Sequence, residues 1–252
     1  MTNAHDHYLT ALAELAIALD GGRRRVGTIV VAEPDRAGSR IASAYPLGDQ
    51  TVVFADPDVV RVVSSLEQSE AISAEEYVRQ AEGLGGELVG MGHQRVLDGP
   101  LRHPDASADD LSFRPLDTSD ASDVRRLAGL IADCTDDDVE EADLDLDDLD
   151  PNVAALLGPD GRIVAYAGAR PADFSDDFDD IAVLTRPDAR RRGLGALVVH
   201  EFVRHRRDED PSRLFLYRYT STNVGSGRVA ESVGFTLVHR IAAVRFPPPP
   251  ST

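Results

Sequence analysis

One stretch constrains this chain more than any other. Arg190-Arg191-Arg192-Gly193-Leu194-Gly195 follows a short apolar run, Ile181 to Leu184, and precedes an apolar-periodic segment, Ala196 to His205. The order reads strand, glycine-rich turn, helix. Two glycines let backbone approach a ligand with no Cβ in the way. The helix behind them points free N–H groups and a partial positive charge into the turn, and three arginines add fixed cationic donors. A turn of this build suits phosphate. A dinucleotide fingerprint would need a third glycine where Val198 stands, and a P-loop would need a lysine, which the chain lacks.

The rest of the chain supplies alternating strands and helices. Leu9, Leu12, Leu15, Ala16 and Leu19 share one face of a helix over Tyr8 to Leu19. Strands are expected at Val26–Val31, Ile41–Tyr45 and Thr51–Ala55, a helix over Pro57–Leu66, and a second from the capping signal Ser73-Ala74-Glu75-Glu76 to about Leu84. Glu87–Leu97 reads as a strand. Gly99, Pro100 and Pro104 then mark residues 98–110 as a linker. Beyond it come a strand at Leu111–Pro115, a helix after Thr118, and a hairpin over Ala154–Ala169 turning at Gly158-Pro159-Asp160-Gly161. After the arginine–glycine turn and its helix, a strand Leu214–Tyr219, a helix Asn223–Val233 and a strand Val238–Phe246 complete the pattern, with a proline-rich tail at 247–252.

Bulk properties narrow the function. The net charge of −18 argues against a nucleic-acid binder, which needs a basic face. No apolar run reaches membrane-spanning length and the first residues do not form a signal peptide, so a cytoplasmic protein without a membrane partner is expected. With Cys134 as the only cysteine, no disulfide or cysteine metal cage can form, and no metal site is expected; His93, His103 and His200 read as isolated scaffold or surface residues. Residues 133–150 carry eleven carboxylates and no basic residue. They read either as a solvated face or as a wall that attracts a cation.

Two motifs in this half resemble the GCN5-related N-acetyltransferase (GNAT) superfamily over residues 111–246. Pro187-Asp188-Ala189-Arg190-Arg191-Arg192-Gly193-Leu194-Gly195 is similar to the family's Arg/Gln-x-x-Gly-x-Gly/Ala signature, and Asn223-Val224-Gly225-Ser226, leading to Val233-Gly234-Phe235, to its second motif. The resemblance implies an α/β (α+β) fold with a mixed, mostly antiparallel sheet flanked by helices. Residues 1–105 are expected to form a smaller α/β domain, either a degenerate GNAT-like half or an unrelated one.

The resemblance also implies chemistry. Acetyl-CoA is the expected co-substrate. Its pyrophosphate would lie on Arg190, Arg191, Arg192, Gly193, Leu194, Gly195 and Ala196, and its pantetheine along Val183, Leu184 and Thr185, with Asn223 and Ser226 bonding the pantetheine or nearby backbone. The strand holding Leu184 is expected to splay from Leu214–Tyr219, and the Leu184 N–H to stabilise the oxyanion. A primary amine of a small molecule or peptide, cationic if the acidic wall takes part, would be the acceptor. Asp180 is the candidate base, with Asp177 and Asp179 as neighbours, although these residues also read as an acidic loop. The usual tyrosine acid is replaced by Ala230. Tyr217 and Tyr219 are candidate substitutes, or else aromatics packed on the sheet. A non-catalytic acetyl-CoA sensor is the alternative, and a homodimer is one expectation for assembly.

Overall fold

The computed structural model describes residues 3–106, 108, 110–150 and 152–248. Contacts divide the chain into two compact units. One holds the described residues up to Gln94, Thr220–Thr222 and those from Leu237 on; the other holds Arg95–Tyr219 and Asn223–Thr236.

In the first unit α1 (Ala4–Leu19) is capped by Asn3, whose side chain accepts from the Asp6 N–H. It is followed by β1 (Gly27–Ala32), β2 (Ile41–Leu47) and β3 (Gln50–Ala55). Then come the short α2 (Val60–Val63), α3 (Ala74–Gly83) and β4 (Glu87–Val96), whose last two residues count with the second unit. β1 and β3 pair in parallel, and β2 and β3 antiparallel. Val30, Val53, Tyr77 and Ala81 lie in the core between sheet and helices.

The second unit contains β5 (Ser112–Pro115), α4 (Ala121–Asp133), α5 (Asp136–Glu141), β6 (Val153–Leu157), β7 (Ile163–Ala172), β8 (Ser175–Thr185), α6 (Leu194–Glu209), β9 (Leu214–Thr220, whose last residue counts with the first unit) and α7 (Val224–Val233). Its strand order is β9-β8-β7-β6-β5. The pairs from β5 to β8 are antiparallel and β8–β9 is parallel. Period-two alternation sorts side chains onto two faces. Ile181, Phe215 and Tyr217 pack with α6 and α7, while Val153, Tyr166 and Leu184 pack with Leu127 and Leu130 of α4. Residues 194–200 of α6 are all buried, as expected of a helix apolar around most of its circumference. Truncating Leu127 or Leu130, each at most 2% exposed, should cost about 2–5 kcal/mol.

Three expectations change. Strand β8 begins at Ser175, so Asp176 to Asp180 form strand, not loop. Aspartates are poor strand formers, but here a tight hairpin closes Ala172 on Ser175, Arg206 meets the buried carboxylate of Asp179 and Arg218 the half-buried one of Asp180. The last strand, β10 (Thr236–Arg245), pairs antiparallel with β2 and joins the first unit from Leu237 on, so residues 111–246 do not form one compact unit. The boundary falls at Gln94/Arg95. The expected linker instead packs within the second unit, where the Arg102 N–H donates to Val233 O at 2.9 Å. Residues 107, 109 and 249–252 of the expected linker and tail lie outside the described residues.

Candidate acyl-transfer site

The arginine–glycine turn closes the end of β8. Arg191 adopts a left-handed backbone with φ 62°, which is uncommon for a residue with a Cβ. Gly193 follows at φ 75° and begins α6. Alternating backbone hands turn successive N–H groups inward into an anion-holding concavity. Asn3, Ser73, Asp120, Thr135 and Asn223 cap the first turns of α1, α3, α4, α5 and α7 with their side chains; α6 has no side-chain cap. Its first N–H groups therefore point into the turn. A Cβ on Gly195 would stand 3.0 Å from Thr185 Oγ1, so the glycine lets α6 close on β8.

The three arginines differ. All three are exposed. Arg190 is a brace: its Nε donates to Thr185 O at 3.0 Å and its Nη2 pairs with Asp138 of α5 at 2.8 Å. Cys134 lies in the same neighbourhood, and burial pushes its thiol up, which disfavours a thiolate nucleophile.

On the other flank, β8 and β9 are paired from Phe178↔Leu214 only to Ile181↔Tyr217. Beyond that rung β8 stays paired to β7, Ala182 facing Gly168 and Thr185 facing Ala165, while its register with β9 has ended. Val183, Leu184 and Thr185 lie beyond the last rung shared with β9. Val183 and Thr185 face Gly195 of α6, and Leu184 packs on the opposite face with Tyr166.

Residues 124–235 match the family described as Acetyltransferase (GNAT) family. The chain carries a GNAT acetyltransferase domain. The match ends one residue before Thr236, the last residue of the second unit. Solved structures agree on the fold. A GCN5-related N-acetyltransferase from Sphaerobacter thermophilus is 15% identical with a TM-score of 0.52, over 88% of this chain and 73% of that one. A GNAT-family acetyltransferase from Colwellia psychrerythraea is 15% identical with a TM-score of 0.50, over 77% of this chain and 76% of that one. No curated protein matches the chain. Among the described residues, no helix is long and apolar enough to cross a membrane.

Beside the end of the β8–β9 ladder, the GNAT domain has a cavity of about 280 Å³ walled by residues 141–145 and 148–150, β7, Asp173, the Asp180–Ala182 part of β8, and Arg218. Seven carboxylates line it against two arginines, Arg170 and Arg218. The stretch 133–150 thus divides into the short helix α5, which holds Arg190, and a wall of this cavity.

Strand parity separates the aspartates. Asp179 turns toward α6, 2% exposed, and pairs with Arg206 at 3.0 Å and Arg213 at 3.6 Å. Asp180 turns into the cavity. Its Oδ2 accepts from Arg218 Nε at 2.6 Å, while its Oδ1 is buried with no hydrogen-bond partner among the described residues. Burial pushes the Asp180 carboxyl up, and Arg218 opposes that shift.

Four other expected site residues have structural partners. Asn223 Oδ1 caps α7 by accepting from the Ser226 N–H at 2.8 Å. Ser226 Oγ lies 3.0 Å from Tyr217 Oη. Tyr217 is 1% exposed, and burial raises its phenol above the usual range. Tyr219 Oη accepts from Arg95 Nε at 2.8 Å. Ala230 is fully buried in the core beneath α7. Tyr166 is a cavity residue that sequence reasoning missed. It is 4% exposed and packed over Gly168. A lone tyrosine in an alanine-rich strand carries no local signal of this role.

Proposed function

We propose that the GNAT domain is an N-acetyltransferase, moving an acetyl group from acetyl-CoA to a primary amine of a small molecule or peptide by direct attack in a ternary complex. The observation that carries this reading is the end of the β8–β9 ladder at Ile181↔Tyr217, immediately before Val183 to Thr185 and the uncapped start of α6. A strand edge freed in this way accepts an extended amide chain as an added strand. The inward N–H groups of Arg191 to Ala196, with the Arg191 and Arg192 side chains, suit a pyrophosphate. The residues present therefore fit the co-substrate, which supplies an activated thioester carbonyl when bound.

The chain's own residues would orient, polarise and move protons. The Leu184 N–H on the central strand is the donor for a developing oxyanion. Asp180, at the cavity edge one residue before Ile181, is the base for the incoming ammonium, directly or through water. The carboxylate-rich wall favours a cationic acceptor and raises its local concentration. Holding both substrates beside one strand supplies much of the acceleration.

A second reading, an acetyl-CoA sensor, is favoured by one observation: the hydroxyls of Tyr217 and Tyr219 already have partners, and Ala230 occupies the usual position of the acid. Thermal shift with acetyl-CoA and thiol release across a panel of mono-, di- and polyamines and peptides separate the readings. A shift that Gly193→Val removes, together with release by an amine, supports the enzyme. A shift without release supports the sensor, and no shift in the wild type rejects both.

A further inference from the structure

The segment after β4 runs as an irregular strap along the second unit. The Leu97 N–H donates to Phe215 O at 3.1 Å and the Arg102 N–H to Val233 O at 2.9 Å. These anchors carry His103 onto α6, where its ring meets that of His200 edge-on, with centroids 4.8 Å apart. Glu201 follows on the helix, and the ligating atoms of His103, His200 and Glu201 all lie within 4.8 Å of one another. We propose that these three side chains form a site for one divalent first-row transition ion of the zinc class.

Two imidazoles and a carboxylate are a donor set for zinc, cobalt, nickel or iron. The hydrogen bonds assign the lone pairs. His103 Nδ1 is 2.9 Å from Pro104 O. A carbonyl can only accept, so Nδ1 carries the proton and Nε2 keeps its lone pair. A backbone carbonyl on the far ring nitrogen is the arrangement that orients a metal-bound histidine. On Glu201, Arg204 engages Oε2 with Nε at 3.1 Å and Nη2 at 2.7 Å. Oε1 is left toward His200, 3.2 Å from its Nδ1. Two ligands about 2.1 Å from one ion, at about 90–109° to each other, stand about 3.0–3.4 Å apart. The His200–Glu201 pair already has that spacing. His103 is exposed and closes on the ion by side-chain rotation. The ion replaces the proton shared by His200 and Glu201, and that proton moves to the other ring nitrogen. Water completes the shell.

The site would also fasten the strap beside the glycine turn, because a Cβ on Gly193 would stand 2.8 Å from Asp105 O.

The test uses the full chain after chelator treatment, titrated with ZnCl2 by calorimetry and with CoCl2 by visible absorption, in the absence of acetyl-CoA. One equivalent of zinc should bind, cobalt should develop ligand-field bands, and zinc should raise Tm. His103→Gln, at an exposed position, should weaken binding by at least about tenfold with the far-UV spectrum unchanged. Glu201→Gln should do likewise. His205→Gln, on the same helix outside the cluster, should leave binding intact. Absence of saturable binding, or binding that survives both His103→Gln and Glu201→Gln, overturns the assignment.

Discussion

Arg190 of the glycine turn donates to Asp138 of α5 at 2.8 Å and to the carbonyl of Thr185 at 3.0 Å, so the first arginine of the turn is held by protein. Asp138 holds Arg190 firmly protonated, and in return its own carboxyl lies below the usual range. The turn is thereby fastened both to its own strand and to a helix distant in sequence.

This relationship predicts different phenotypes for neighbouring arginines. Arg190→Ala should lower stability by about 1 kcal/mol, given the partial exposure of the pair. It should leave the salt dependence of acetyl-CoA binding nearly unchanged. Arg191→Ala and Arg192→Ala should flatten that dependence, since their exposed charges are free to meet phosphate. Melting curves and calorimetric titrations at two salt concentrations distinguish the cases; equal salt slopes for all three variants would contradict the assignment.

Arg191 has a left-handed backbone conformation that costs a residue with a Cβ about 1–2 kcal/mol. Arg191→Gly should therefore be more stable than Arg191→Ala by about 1 kcal/mol, although both lose the same charge. Chemical denaturation of the two variants checks this, and equal stability would show that the turn relaxes when the arginine is removed.

Asp180 in the cavity predicts the acid limb of the rate profile. Burial raises its carboxyl, so a base at this position loses activity as pH falls through that raised value. Arg218 favours the ionised form; Arg218→Met should move the acid limb of kcat/KM to higher pH. Asp180→Asn should reduce kcat by about 10²–10⁴-fold. A limb that stays in place in Arg218→Met would remove Asp180 from the proton path.

His239 predicts a stability effect in the first unit. It is 8% exposed beside Tyr8 and Tyr45, with its Nε2 3.3 Å from Tyr8 Oη and its Nδ1 buried without a partner among the described residues. Tyr8 donates to Gln94 Oε1, so His239 Nε2–H donates to Tyr8 and a second proton would have to enter at Nδ1. Burial, with His5 adding to it, lowers the imidazole from 6.5 to about 4. The unfolded chain takes up a proton below pH 6.5 that the folded chain refuses until about pH 4. The stabilising contribution is complete above 6.5 and is lost as pH falls to about 4, by about 3 kcal/mol in total. Wild type and His239→Gln compared by denaturation across this window should differ in slope by about one proton.

Much of the fold was legible because its signals are local. Ser73 and Asn223 were readable as helix starts, and Gly158 to Gly161 as a hairpin turn, since each depends on atoms within a few residues. Strand β8 extends beyond its apolar run, a length its sequence does not signal, because its first half is acidic and is held by Arg206 and Arg218 rather than by its own propensity. Asn223 and Ser226 have the residue types of a ligand-binding pair, yet they cap α7 and meet Tyr217, a difference that composition cannot express.

The chain alone determined the strand–turn–helix around Arg190 to Gly195 and its suitability for phosphate, because left-handed turn positions, helix starts and charge are properties of contiguous backbone. Tertiary pairing settled the remainder. It turned Asp179 toward α6 and Asp180 into the cavity, ended the β8–β9 ladder at Ile181, set His103 against His200, and returned the last strand to the first unit. Each of these outcomes depends on strand register or on packing between residues far apart in sequence. A shift of one residue in register reverses which side chains face the site.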